Sequence, residues 1–175
     1  RVEAKVAIVY DWENRWAISL SSGPTIALDY VKEVHKYYDA LFKQNIQVDM
    51  IGVDEPLDKY DIVIAPVLYM VKPGYAAKLE AFVERGGTFV TTFFSGIVDE
   101  RDIVRTGGYP GELRRMLGIW AEEIDALFPD QKNRIVMTKP YGELEGEYEC
   151  GLLCDLIHPE GAETIAVYGD DFCAG

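Results

Sequence analysis

Asp61 to Phe94, DIVIAPVLYMVKPGYAAKLEAFVERGGTFVTTFF, is the stretch whose reading decides the fold. It opens on a short apolar, β-rich run, Asp61 to Val67, which suits a buried strand ending around Pro66. Pro73 and Gly74 then open a helix with Ala76, Ala77, Phe82 and Val83 as its apolar positions, and Arg85-Gly86-Gly87 stops it as a glycine C-cap predicts. Thr88 to Phe94 (TFVTTFF) reads as the next strand. Strand, helix and strand within one short stretch is the alternation of a right-handed crossover in a parallel sheet.

Reading outward, the same alternation continues upstream. Lys5 to Tyr10 (KVAIVY) is a first strand, followed by a polar segment, Asp11 to Arg15, expected as a loop. Ser21-Ser22-Gly23-Pro24 supplies a helix start, and Ala27, Tyr30, Val31, Val34, Tyr38, Leu41 and Phe42 recur at helical steps as its apolar face until about Asn45. Gln47 to Val53 is a second strand and Asp58 to Tyr60 a short connector. Downstream, Asp99 to Asp102 is a polar loop, and Gly107 to Gly111 precedes a short helix from Glu112 to Leu117. Arg134 to Thr138, Glu149 to Ile157 and Thr164 to Tyr168 read as strands, the last pair with no helix between them and so a hairpin or antiparallel edge. The expected class is α/β: a mostly parallel sheet with helices on both faces and with C-terminal strands partly antiparallel.

At 175 residues the chain is expected to be a single domain. With 49% hydrophobic and 27% charged residues it can bury enough surface to offset ordering entropy, so it should fold. Thirty acidic against 17 basic side chains give a net charge of -13, which excludes a phosphate-backbone partner such as nucleic acid. No apolar run approaches the roughly 20 residues that span a bilayer, and no signal-peptide core is present, so a soluble, cytoplasmic protein without a membrane partner is expected. The start at Arg1 without Met, and the stop soon after a strand-like run, lead to the expectation of a segment of a longer protein.

Ligands of open parallel sheets sit beyond the carboxyl ends of the strands, here the loops after Tyr10, Val67 and Phe94. The segment after Tyr10 lacks the glycines that let a backbone wrap a pyrophosphate, so no dinucleotide or phosphate-loop fingerprint is present and no cofactor is expected. Trp12 and Trp16, with Arg15 between, are residue types that anchor interfaces, or else they cover the sheet edge within one molecule. The turn Thr92-Phe93-Phe94-Ser95-Gly96 falls where some α/β enzymes carry a nucleophile on a strained elbow, in the pattern G-x-C-x-G. Counting back from Gly96 puts Phe94 at the cysteine position, so no nucleophile stands there, and Ser95 is read as a turn residue without a histidine beside it.

Cys150, Cys154 and Cys173 form an odd set, read as reduced, and the spacing of Cys150 and Cys154 lacks a second ligand pair for a metal. Of the two histidines, His35 and His158, the latter is expected in a turn before Pro159. Glu143, Glu145, Glu147 and Glu149 alternate as a solvated face would, and no pair of carboxylates can be singled out for acid/base work. No catalytic, cofactor or metal residue is assigned.

Four ordered blocks carry a resemblance: Asp11-Trp12-Glu13-Asn14 with Trp16-Ala17, Pro73 to Glu100, Pro110 to Leu127 (PGELRRMLGIWAEEIDAL), and Asp171 to Gly175. Together they resemble the middle domain of the family 42 glycoside hydrolases, bacterial β-galactosidases with a catalytic (β/α)8 barrel, a trimerisation domain of flavodoxin-like or amidotransferase-like fold, and a small C-terminal β domain. The resemblance implies a non-catalytic domain, 1–175, of a retaining enzyme acting on terminal β-D-galactosides, its two catalytic glutamates lying on the barrel. It implies a homotrimer in which this domain meets its own copies and the barrel. Trp12, Arg15 and Trp16, with Arg101 and Tyr109 of the Asp99 to Tyr109 loop, are the candidate interface residues. The alternative is a free-standing amidotransferase-like small-molecule or carbohydrate-binding module lacking a nucleophile.

Overall fold

A computed structural model describes residues 3–21 and 23–170. Four short strands, β1 (Val6–Val9), β2 (Val48–Ile51), β3 (Ile62–Ala65) and β4 (Thr88–Thr91), form an all-parallel sheet in the order β2-β1-β3-β4. Val6 lies opposite both Val48 and Ile62, and Ile62 opposite Thr88, so the strands start level. Every residue of β1 is buried, as expected of a central parallel strand covered on both faces.

The two-residue period of the strands divides the core. Val6, Ile8 and Ile64 face helices α1 (Trp12–Leu20) and α2 (Tyr30–Lys43), packing on Ala17, Ile18, Tyr30 and Val34. Ala7, Val9, Val63 and Ala65 face the other way, onto Tyr75, Leu79 and Phe82 of α3 (Tyr75–Glu84) and onto Leu113. Helices therefore cover both faces of the sheet. Leu113 ends a 3₁₀ turn, Gly111–Leu113, that runs into the short helix α4 (Arg114–Leu117).

Beyond α4 the chain becomes antiparallel. β5 (Ile119–Ala126) pairs with β8 (Leu153–Pro159), while β6 (Asn133–Met137) pairs with β7 (Glu147–Cys150) on one side and β9 (Ala166–Tyr168) on the other. The pairings 5 with 8 and 6 with 9 thus cross in sequence. The last two strands are antiparallel to their partners but do not form a hairpin with each other.

Several local expectations need correction. Asp11 to Arg15 is helical from Trp12 onward, because the Asp11 carboxylate accepts the Asn14 N–H and caps the first turn. The second helix begins at Tyr30 under an Asp29 cap, not at Pro24. Glu149 to Ile157 is two strands, broken at Gly151 and at Leu152, whose φ is 79°. β5 had no sequence assignment: Glu122, Glu123 and Asp125 spoil its apolar alternation, and a register shift between Ala121 and Glu123 shows the irregularity. The fourth strand stops at Thr91, leaving Phe94 in the following turn.

Candidate functional site

At the carboxyl edge of the parallel sheet, two turns meet. Val67 and Phe94, after β3 and β4, have φ of 47° and 57°, the left-handed region that non-glycine residues enter at a cost of about 1–3 kcal/mol. Fully buried Asn14 bridges the first turn, donating to the Val67 carbonyl and accepting the Met70 N–H, each at 2.8 Å. Thr92 Oγ1 accepts the Val67 N–H and Ser95 Oγ accepts the Leu68 N–H, tying the two turns together. Asp155 of β8 accepts the Phe94 N–H.

Phe94 thus stands after a parallel strand with a positive φ, as the nucleophile of an elbow would, but no helix follows it directly and its side chain is inert. The Phe94 ring is buried against Tyr69, with ring centroids 4.9 Å apart. Ser95 is a buried structural hydroxyl that also donates to the Thr92 carbonyl. Neither histidine approaches: His35 is exposed on α2, and His158 lies within β8, not in a turn, stacked on Trp120 and 2.6 Å from Glu122. Burial pushes the Asp155 carboxyl up to about 6, against the Phe94 hydrogen bond that lowers it, and its Oδ1 has no hydrogen-bond partner among the described residues.

The candidate interface residues fall in two groups. Trp12, Trp16 and Leu20 occupy successive turns of α1 and point outward, 55%, 56% and 86% exposed. Arg15 stands 5.1 Å over the Trp12 ring, which also meets Tyr10 at 5.2 Å in a T-shaped pair and Trp16 at 6.3 Å. Beneath them Lys72 is paired with Asp11 and Glu13; burial lowers its pKa, but the hydrogen bonds to these carboxylates outweigh it and hold the ammonium charged. Arg101 is exposed and its backbone N–H caps onto Asp99. Tyr109, by contrast, is half-buried against the core, its carbonyl accepting the Ala121 N–H.

Sequence periodicity missed a second exposed apolar surface. Tyr38 and Phe42, expected on the buried face of α2, stack on each other at 5.9 Å on its outer side, while Tyr30, Val34, Tyr37 and Leu41 face the sheet. With Ile46, they flank a groove of about 580 Å³ beside β2. The helix carries more aromatic residues than one face can bury, and that surplus was the available signal.

Cys154 is fully buried and Cys150 half-buried, with burial pushing the Cys150 thiol up; Cys173 lies outside the described residues. Glu147 and Glu149 pair with Arg134 and Lys132 on an exposed surface. Among the described residues no cluster of metal-ligand side chains forms, and no helix is long and apolar enough to cross a membrane.

Comparison with known proteins gives these features a context. A β-galactosidase from Planococcus sp. (strain 'SOS Orange') is 73% identical over 175 residues, covering 100% of this chain and 26% of that protein. One from Alicyclobacillus acidocaldarius is 49% identical, covering 99% and 26%. The crystal structure of β-galactosidase from Bacillus circulans sp. alkalophilus superimposes with a TM-score of 0.97 at 67% identity, over 98% of this chain and 26% of that one. The chain thus spans about a quarter of the length of the relatives it matches. A family model described as the β-galactosidase trimerisation domain matches residues 4–175. With the whole described fold inside that match, the chain belongs to the β-galactosidase trimerisation domain family.

Proposed function

We propose that residues 1–175 are the non-catalytic domain through which a retaining β-galactosidase assembles as a homotrimer, the catalytic carboxylates for terminal β-D-galactosides lying elsewhere in the longer chain. The observation that carries this reading is the match of the whole chain to a quarter of each β-galactosidase relative. Trp12, Arg15 and Trp16 supply an exposed, preorganised aromatic surface of the kind that anchors protein contacts, and Arg101 and Tyr109 extend it on the neighbouring loop. The domain also meets the barrel of its own chain. We read the enzyme as cytoplasmic, a reducing compartment in which Cys150 stays a thiol. A free-standing carbohydrate module, in which the Trp12 and Trp16 rim would hold a ligand, has less support, since the chain matches about a quarter of each longer β-galactosidase relative.

The test is sedimentation of the full-length polypeptide with Trp12→Ala and Trp16→Ala together. Loss of trimer with the domain still folded is expected; a trimer that persists unchanged overturns the rim as an interface. The isolated 175-residue chain is expected not to cleave a chromogenic β-galactoside, and turnover abolished by replacing one of its own acids would contradict the non-catalytic assignment.

A further inference from the structure

We propose that the outward stripe of α1, Trp12, Trp16 and Leu20, seats in the groove between the C-terminal half of α2 and the edge strand β2 of a second copy of this chain. The inference rests on the trimeric reading above and names the surface that reading leaves unspecified. A closed ring of three is built from head-to-tail contacts, in which each subunit offers two different patches. The rim on α1 therefore cannot pair with itself, and a complementary patch must exist elsewhere.

The α2/β2 groove has the features such a patch requires. Its volume is about 580 Å³, and Ala4, Tyr38, Phe42, Ile46 and Val48 line it, with Phe42 67% exposed. Tyr38, Phe42 and Ile46 are its exposed apolar residues, beside the polar Asn45, Gln47 and Asp49, and an exposed apolar cluster with a polar rim marks an interaction site. β2 stands at one end of the sheet, and its charged residue, Asp49, is held by Lys59 and Tyr60. On the other side of the contact, residues spaced by four along α1 give one apolar row, the pattern by which a helix inserts into a groove. Charge agrees as well. Arg15, beside the Trp row, makes no ion pair among the described residues, and neither does Asp39, which shares the outer face of α2 with Phe42.

Position also fits a head-to-tail contact. α1 leaves the carboxyl end of β1, whereas the groove includes Ala4, which precedes β1, and Gln47, which precedes β2. The two patches therefore lie at opposite ends of the parallel strands and face different neighbours. In a ring, each rim would fill the groove of the next copy.

The experiment is complementation in the full-length polypeptide. A rim variant (Trp12→Ala with Trp16→Ala) keeps its groove, and a groove variant (Phe42→Lys with Ile46→Lys) keeps its rim. Each alone is expected to sediment as a monomer. Mixed in equal amounts they are expected to form a one-to-one dimer and no trimer, because one competent contact remains and the ring cannot close. A groove variant that stays trimeric overturns the groove, while a rim variant that stays trimeric overturns the rim, so the two failures are told apart. A mixture that stays monomeric overturns the pairing of the two patches. Charge reversal gives a second measure without large truncation: Arg15→Asp or Asp39→Arg alone should weaken association about tenfold, and the two together should restore it. Restoration absent in the double reversal removes Arg15 and Asp39 from the contact.

Discussion

The carboxylate of Asp155, on β8, accepts the backbone N–H of Phe94 at 3.0 Å, so a side chain of the antiparallel layer fixes the tightest turn of the parallel one. The two residues are 61 apart in sequence. The bond couples the halves of the domain through a buried titratable group, and the following expectations start there.

Stability should depend on the ionisation of Asp155. Its carboxyl is raised in the folded state to about 6 from an ordinary 3.8, so its neutral form is the one folding favours. That contribution is present in full below about pH 4 and is lost as pH rises through 6, amounting to roughly 3 kcal/mol by linkage. Asp155→Asn keeps the acceptor for Phe94 and cannot ionise. Urea unfolding at pH 4, 6 and 8 should show the variant gaining on the wild type as pH rises; a constant difference across that range would mean that Asp155 does not titrate in this window.

Phe94→Ala should destabilise the domain by about 3–5 kcal/mol, since it empties a buried aromatic site against Tyr69. Chemical denaturation measures this directly, and an unchanged midpoint would deny the ring its packing role. Phe94→Cys places a thiol at this turn but should yield no glutaminase activity, because His35 is exposed on α2 and His158, on β8, is bound to Glu122 of β5.

Asn14→Ala removes the partners of two backbone groups, the Val67 carbonyl and the Met70 N–H, inside the core. At roughly 1–3 kcal/mol for each buried group left unsatisfied, a loss of about 2–6 kcal/mol is expected. Hydrogen exchange should show the Met70 amide losing protection first. Equal protection in the variant would show that the turn holds its shape without the bridge.

Gly96→Ala should cost about 2 kcal/mol or more. Gly96 has φ of 68°, and a Cβ there would lie 2.0 Å from the Pro110 carbonyl oxygen, a backbone atom with little room to move. A melting temperature within a degree or two of the wild type would contradict the close approach of these two turns.

The parallel sheet was legible because β1 and β3 are apolar throughout and the segments are punctuated by Pro73, Gly74, Gly86 and Gly87, signals that act locally. The antiparallel layer was harder to read. β5 mixes Glu122, Glu123 and Asp125 into a strand with one wet face, and the break at Leu152 depends on a backbone conformation that its side chain does not advertise. Phe94 at the elbow position was visible by counting from Gly96, but its buried partner Asp155 was not, since nothing in a sequence brings together residues 61 apart. Trp12 and Trp16 were picked out by residue type. Tyr38 and Phe42 were read as core, because helical periodicity identifies an apolar stripe without saying that a neighbouring stripe has already filled the sheet face.

The crossed pairing of the last five strands has a consequence for the order in which the domain can be made. During synthesis all four parallel strands are available once Thr91 has emerged, and the β6–β7 ribbon once Cys150 has followed. β5 must then wait for Leu153–Pro159, and β6 keeps one open edge until Ala166–Tyr168 arrives. Long-range antiparallel pairings of this kind form late and leave unpaired edges exposed in the interval. The two halves of this chain are therefore unequal in time: the parallel half can fold as it is made, and the antiparallel half is completed only when nearly the whole segment has left the ribosome.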